Sequence, residues 1–214
     1  MRRSPSFDCE DARNSYRWKR KHPMTSLGLK ALAVLGAVCL PLAGHAQDRS
    51  VFLEQIGSGN VLAVRQAGSA TATITQAGSD NRASVDQGTI AGATLSLRQE
   101  GVANDAAIDQ RGSGRSDLRL VQLGTGNAAT LRQAGSAGIN VAAVHQTGTD
   151  NRATLAQGGQ GNEASLTQTG SDNIMSAVQN GRGNTLVWNQ VGQGLSDLAI
   201  VQSGGQAIQI TQTR

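Results

Sequence analysis

Beyond residue 46 the sequence lacks several residue types altogether. It has no cysteine, proline or lysine there, and Phe52 and Trp188 are the only aromatic residues. Without cysteine, this part of the chain can have no disulfide, thiolate nucleophile or cysteine-bound metal. Without proline, nothing removes a donor from a β-sheet hydrogen-bond ladder. With so few large side chains, residues 47–214 can build only a thin hydrophobic core.

The net positive charge belongs to the start of the chain. Of the 19 basic and 15 acidic residues, eight basic and three acidic ones precede residue 47, which leaves 11 − 12 = −1 for the remainder. The charge of residues 47–214 therefore indicates neither a nucleic-acid nor a membrane role, and we predict no nucleic-acid partner.

Residues 24–46 resemble a secretory signal peptide. Lys30 precedes an apolar run, Ala31 to Ala43, that is too short to span a bilayer, and small residues follow it. Residues 1–23 are basic and irregular, and are either an extension of this signal or a start assigned too early; we favour Met24 as the true start. Residues 47–214 then form the exported domain.

Residues 47–214 are one repeat. A glutamine recurs every 10 to 13 residues, and glycine stands two residues after almost every one of them. The repeated glutamines are Gln55, Gln66, Gln76, Gln87, Gln99, Gln110, Gln122, Gln133, Gln146, Gln157, Gln168, Gln179, Gln190, Gln202 and Gln212.

Asparagine commonly stands six residues before the glutamine. Serine takes this place at Ser116 and Ser196. The asparagines are Asn60, Asn81, Asn104, Asn127, Asn140, Asn151, Asn162, Asn173 and Asn184.

Between asparagine and glutamine the units alternate. The fourth and second residues before glutamine (positions −4 and −2) are apolar, as in Ala83/Val85 and Leu198/Ile200, and their neighbours are mostly polar. Period two predicts a short β-strand with Asn, two apolar residues and Gln on one face. About 15 such strands with short turns predict an all-β, two-sheet, cross-β solenoid with two strands per coil.

Stacked coils explain the inward-facing amides. A primary amide both donates and accepts hydrogen bonds, so identical amides in successive coils can satisfy each other, as in cross-β ladders. We predict that the Gln and Asn sets above form these ladders, which hold the coils in register and serve stacking and polymerisation.

The pattern Ser/Asn-x-Ala-x-apolar-x-Gln-x-Gly-x-Gly-Asn resembles the curlin repeat of the functional amyloid curli, over residues 50–212. NDAAIDQ (104–110) and AIQITQTR (207–214) resemble the minor, nucleating curlin more than the major subunit. The sequence departs from the pattern at Ala70, Ala93 and Gln206 in the asparagine place, at the shifted Gly88, and at Ala177 with Val178, which read as out of phase.

The resemblance implies a fold, a location and partners. Curlins leave the cell unfolded through an outer-membrane pore with accessory proteins, and fold by templating at the surface of a Gram-negative-type bacterium. The chain would thus be secreted and would join other curlin subunits in fibres for adhesion and biofilm. It implies no small-molecule substrate and no cofactor.

Little in the sequence indicates catalysis or metal binding. His145 is the only histidine beyond residue 46 and lies at an outward position, so no transition-metal cluster is expected. The segments GSDN (78–81), GTDN (148–151) and GSDN (170–173) faintly resemble calcium-binding repeats, but Asp and Asn are also common turn formers. We predict a protein that is not an enzyme, with no metal and no cofactor.

Charged residues are expected on the outward faces. Positions −1 pair Arg65 with Asp86 and Asp109 with Arg132 in neighbouring coils, and place Asp86 beside Asp109. Such exposed pairs add little stability, so we interpret these charges as gatekeepers against wrong lateral association, with ordinary solubility as the alternative. The gatekeeper set is Arg82, Asp86, Asp109, Arg132 and Arg152.

The sequence thus favours the minor curli subunit, with the major subunit as the alternative. A monomeric ice- or polysaccharide-binding solenoid would be expected to present a regular outward ladder, whereas the outward positions here are mixed. A solenoid enzyme such as a polysaccharide lyase usually has bulkier, three-sided coils.

Overall fold

The computed structural model describes residues 49–214, apart from the side chains of residues 89–91. The predicted signal peptide, residues 24–46, and the basic segment 1–23 lie outside the described residues. The predicted boundaries of the three segments therefore stay predictions.

The described part of the chain is built from β-strands. It contains thirteen strands and no helix. No membrane-crossing helix of sufficient length and apolarity occurs among residues 49–214. The strands are β1 (Ser50–Ser58), β2 (Val61–Ser79), β3 (Arg82–Val102), β4 (Asp105–Gly112), β5 (Arg115–Thr125), β6 (Ala128–Gly135), β7 (Ile139–Thr149), β8 (Arg152–Gly159), β9 (Glu163–Ser171), β10 (Ile174–Asn180), β11 (Thr185–Gln193), β12 (Ile200–Ser203) and β13 (Ala207–Thr213).

The strands pair in parallel, and from β3 onward each strand pairs with the second strand after it along the chain. The sheet order is β12-β10-β8-β6-β4-β3-β5-β7-β9-β11-β13, and β2 pairs with both β1 and β3. β2 carries both Gln66 and Gln76, and β3 carries both Gln87 and Gln99, so each runs around a corner and joins two stacks into one continuous sheet. The predicted all-β solenoid with two strands per coil is confirmed.

We name the two stacks by their first glutamine. The Gln55 stack contains β1, the second halves of β2 and β3, β5, β7, β9, β11 and β13, which is eight glutamine-bearing segments. The Gln66 stack contains the first halves of β2 and β3, β4, β6, β8, β10 and β12, which is seven. Two stacks that differ by one segment make a solenoid with a half-integral number of coils.

A thin core lies between the stacks. The residues at positions −4 and −2 pair with their equivalents in the next coil, as Ala129 does with Ala106 and Leu131 with Ile108. In the interior coils these side chains are buried and form one continuous cluster from Leu62 to Trp188. The predicted alternation is therefore confirmed, because its inward residues are the core.

The glycine after each glutamine allows close stacking at the bend. At Gly124, φ is +116°, and an added Cβ would lie 2.1 Å from the carbonyl oxygen of Gly148 in the next coil. No side chain fits such a contact, and few L-residues adopt this φ. Asp80, Asp150 and Asp172 take left-handed turn conformations before asparagine, with φ of 55–59°, which supports their interpretation as turn formers.

Two details of the predicted alternation are wrong. Leu198 does not face inward but is 49% exposed, in a segment between β11 and β12 that is not a strand. Here Asp197 Oδ1 accepts hydrogen bonds from the backbone N–H groups of Ser176 and Ala199, both at 2.8 Å, and bends the backbone away from the sheet. One coil after Asn173, Leu195 holds the asparagine position, because its backbone N–H donates to Asn173 Oδ1. The sequence had placed Ser196 there.

The second correction concerns the apparent phase break in β10. Ala177 is buried and pairs in register with Leu155 and Ile200, and Val178 is half-buried at an outward position. The strand is regular because Met175 supplies the buried apolar residue at position −4.

The shifted Gly88 is an insertion. The pairing of β2 with β3 slips by one residue between Gln66 and Ala67, which leaves Gly88 without an opposite residue. A bulge of this kind absorbs an extra residue and returns the strands to register.

Candidate functional site: amide ladders and open ends

Two glutamine ladders run the length of the solenoid. In each stack, every glutamine except the last donates from Nε2 to Oε1 of the glutamine one coil further along the chain, at 2.6–2.9 Å. From Gln66 to Gln202 the glutamines are buried, and only the first and last of the Gln55 stack are half-buried. The structure thus joins all fifteen predicted glutamines into two ladders.

Backbone carbonyls fix the direction of these ladders. Gln99 Nε2 also donates to the carbonyl oxygens of Arg82 and Asn104, at 3.0 and 3.2 Å. Reversing the amide would turn Oε1 toward these two acceptors. Each repeated glutamine from Gln66 onward has at least one such carbonyl contact, so the geometry requires these glutamines to direct Nε2 toward the carboxyl-terminal end.

The main asparagine ladder donates in the opposite direction. Asn104 Nδ2 donates to Asn81 Oδ1, one coil earlier, at 3.0 Å, and also to the carbonyl oxygens of Glu100 and Gly124. Asn104 Oδ1 then accepts from both the backbone N–H and the Nδ2 of Asn127. The same donation links Asn60, Asn81, Asn104, Asn127, Asn151 and Asn173.

The second asparagine column is incomplete. Asn140, Asn162 and Asn184 follow one another at the start of strands in the Gln55 stack, where the backbone N–H of each later asparagine donates to the earlier Oδ1. The earlier coils have buried Ala70, Ala93 and Ser116 in this place. The Ser116 hydroxyl is buried without a hydrogen-bond partner in the described part of the chain. The column therefore lacks amides in the first half of the solenoid and bears them in the second.

The final coils expose apolar side chains that interior coils bury. In β1, Leu53 occupies an inward position yet is 40% exposed, and outward Phe52 is 64% exposed. At the other end, Ile208 and Ile210 of β13 are only partly buried against the core. Within residues 49–214, β1 and residues 61–66 pair on one side only, as do β12 and β13. Both ends therefore present strand edges with apolar side chains beside them.

The predicted gatekeeper charges all lie outward. Arg82, Arg132 and Arg152 are exposed, and Asp86 and Asp109 are half-buried. The predicted neighbours Arg65 and Asp86, and Arg132 and Asp109, approach only to 4.0 Å.

Arg111 is a charged residue that the sequence reasoning missed. Its Nη2 lies 2.9 Å from Asp86 Oδ2 and its Nε lies 2.6 Å from Asp109 Oδ1, so one guanidinium bridges the two stacked carboxylates. Its position, one residue after Gln110, could have indicated this, because that residue faces the same side as position −1 of the strand.

The one histidine of residues 49–214 does not belong to a cluster of possible metal ligands. His145 lies at an exposed position with Thr147 Oγ1 3.3 Å from its Nε2. The described residues contain no cluster of three or more His, Cys, Asp or Glu that could hold a metal ion. The organised polar groups of residues 49–214 are the amide ladders, and these point along the stacking axis.

Comparison with known proteins agrees with this architecture over part of the chain. A family model described as the curlin associated repeat matches residues 148–181. This stretch contains the turn before Asn151 and the three successive glutamines Gln157, Gln168 and Gln179. No curated protein matches the chain. The match shows that this part of the chain is similar to curlin repeats, and it agrees with the β-solenoid fold.

Proposed function

We propose that this chain is a subunit of an extracellular curli-type amyloid fibre, and that it is the minor subunit, which nucleates fibre growth at the cell surface. The observation that carries the proposal is the pair of in-register glutamine ladders that end at strand edges with no pairing partner among residues 49–214. A solenoid that must remain monomeric covers such edges with capping elements. Here the edges of β12 and β13 offer backbone and amide groups to a further strand.

The ladder residues are the proposed polymerisation elements. At the carboxyl-terminal end Nε2 of Gln202 and Gln212 can donate onward, and at the amino-terminal end Oε1 of Gln55 and Gln66 can accept. An added strand would continue both ladders by β-augmentation. The five gatekeeper residues lie outside this path, where they would oppose sideways association and leave axial growth free.

Location and partners follow from the same proposal. Residues 24–46 would direct export, and the chain would cross the outer membrane through the curli secretion pore with its accessory proteins. On the surface it would template other curlin subunits into fibres that support adhesion and biofilm. The minor role rests on the likeness of NDAAIDQ and AIQITQTR to the nucleating curlin.

Seeded assembly tests both levels of the proposal. The purified exported chain should bind an amyloid dye, form fibres visible by electron microscopy and diffract at ~4.7 and ~10 Å. If it stays monomeric for days and binds no dye, the fibre proposal is wrong. Added at about one part in a hundred, it should shorten the lag of a major curlin. If it forms fibres but leaves that lag unchanged, the chain is a bulk subunit.

A further inference from the structure

The two stacks do not contain the same number of strands, and this constrains how copies can join. The Gln55 stack begins with β1 and ends with β13, whereas the Gln66 stack begins with residues 61–66 and ends with β12. Counted over residues 49–214, eight segments in one stack and seven in the other make the solenoid start and finish on the same side.

A second copy added in the same orientation leaves a gap. Its β1 would pair with β13, which continues the Gln55 stack. Its residues 61–66 would then lie two strand spacings above β12, about 9.6 Å, instead of one. One strand would be missing from the Gln66 stack at every junction, with the backbone groups on both sides unpaired.

Rotating the second copy by half a turn about the stacking axis removes the gap. Its β1 then pairs with β12, and its residues 61–66 pair with β13, so that strands keep alternating between the two sides. The rotation keeps all pairs parallel, because the facing strands of one coil run in opposite directions. It also preserves the shape of the cross-section, since both halves of a coil are the same repeat of roughly 11 residues.

The end residues match in this arrangement. With glutamines aligned, Ile208 and Ile210 of β13 meet Leu62 and Val64 of the second copy, and these four apolar side chains extend the core. Gln212 Nε2 meets the Oε1 of Gln66, which points along the stacking axis toward the preceding copy. Interior coils pair apolar residues and glutamines in this same register, as β11 does with β9.

The asparagine places provide an independent argument for the half-turn. Asn60 of the second copy needs an acceptor for its backbone N–H, which later asparagines find in the Oδ1 of the preceding coil. After a half-turn, Asn60 follows Gln206, which holds the asparagine place of the last strand. Gln206 Oε1 accepts from the backbone N–H of Ser203 at 2.9 Å and has a second lone pair that can accept from Asn60. In the unrotated arrangement it would lie across the gap from Leu195, whose side chain in any case has no acceptor.

We propose that copies of this chain join end to end with a half-turn between neighbours, β13 pairing with residues 61–66 and β12 pairing with β1 of the next copy. The inference rests on the proposed fibre function and specifies its subunit interface. Each copy advances the fibre by seven and a half strand spacings, about 36 Å. The half-turn adds to whatever twist the coils themselves accumulate.

Disulfide capture between copies distinguishes the two arrangements. Gln209 on β13, Ala63 on β2 and Phe52 on β1 all lie at exposed position −3. The half-turn places Gln209 beside Ala63 of the next copy, whereas unrotated stacking places it beside Phe52. Neighbouring strands lie about 4.8 Å apart, within the Cα separation that a disulfide allows. Gln209 lies at the opposite end of its own chain from both partners, so capture reports neighbouring copies.

The experiment uses the full chain with Cys9→Ser and Cys39→Ser in every variant. Copies with Gln209→Cys are mixed with equal amounts of Ala63→Cys or Phe52→Cys copies, assembled, oxidised mildly and dissolved without reductant. We expect mixed dimers in the Ala63 sample at least tenfold above those in the Phe52 sample. Predominant capture with Phe52, or of Gln209→Cys with itself, overturns the half-turn.

Electron cryomicroscopy of unmodified fibres gives a second test that needs no substitution. We expect a subunit rise near 36 Å with a rotation that includes the half-turn. A rise near 38 Å, eight strand spacings, without the half-turn contradicts the inference. Fibres with this other geometry overturn the inference alone, whereas the absence of any fibre also overturns the proposed function.

Discussion

Replacing one ladder glutamine should cost far more than replacing the charged residue next to it. Gln133 is 1% exposed and accepts a hydrogen bond from Gln110 at 2.9 Å. Its Nε2 donates to Gln157 Oε1 at 2.9 Å and lies 3.3 Å from the carbonyl oxygens of Asp117 and Asn140.

Gln133→Leu removes all of these contacts. Gln157 Oε1 loses its ladder donor, and a buried acceptor left unsatisfied costs about 1–3 kcal/mol. Gln110 Nε2 keeps its contacts with the carbonyl oxygens of Thr94 and Ser116, so its loss is smaller. Adding the lost hydrogen bonds, and allowing for the apolar gain of leucine, we expect the free energy of unfolding to fall by about 2–4 kcal/mol.

Arg132→Leu is the matched control, since it introduces the same side chain one residue earlier. Arg132 is 64% exposed and lies 4.0 Å from Asp109, so its loss should cost ~0–1 kcal/mol. At a urea dependence of about 2 kcal/mol/M, the unfolding midpoint should fall by roughly 1–2 M for Gln133→Leu and by less than about 0.5 M for Arg132→Leu. Seeded growth should slow in the same order. Equal effects, or a larger effect of Arg132→Leu, would refute the ladder.

Three further predictions follow from other parts of the solenoid. Gly124→Ala should prevent regular stacking and lower the thermal midpoint sharply, because the added Cβ would meet the carbonyl oxygen of Gly148. The control Gly183→Ala, whose Cβ would have no atom within 4 Å, should lower the free energy of unfolding by only about 1 kcal/mol. Similar losses for the two variants would show that the bend is not closely stacked. Arg111→Ala should lower the free energy of unfolding by up to ~1 kcal/mol at low salt and by nothing measurable at 1 M salt, since it unpairs two partly exposed carboxylates. A loss of stability that does not depend on salt would contradict the Arg111 bridge. Ser116→Ala should raise the free energy of unfolding by about 1 kcal/mol in urea denaturation, because it removes a buried hydroxyl that lacks a partner among the described residues. A loss of stability would mean that the hydroxyl makes a hydrogen bond.

The regular part of the fold could be predicted from sequence because each repeat specifies the same local structure. Alternation places Val85 and Gln87 inward, and the period of the glutamines determines which strands become neighbours. The direction of the amide ladders could not be predicted, since it depends on where carbonyls such as Arg82 O lie once the coils have closed.

The error at Leu198 arose where the spacing changes. Between Gln190 and Gln202 an extra residue lets Asp197 hold two backbone N–H groups, so Leu198 turns outward although its sequence position matches inward residues elsewhere. The bridging role of Arg111 was missed because the repeat was read only between asparagine and glutamine. Such features depend on which side chains meet across coils, and a single repeat does not contain that information.

Hydrogen exchange at the terminal strands tests most directly whether the folded chain grows by adding strands to its open ends. In the unassembled chain, backbone N–H groups on the free edges of β12, β13 and residues 61–66 should exchange rapidly, while those of β6 to β9 are protected. On assembly, protection of these edge groups should rise toward the level of the interior coils, whose own exchange should stay unchanged. Edge groups that still exchange freely in mature fibres, or interior strands that lose protection on assembly, would contradict growth by strand addition.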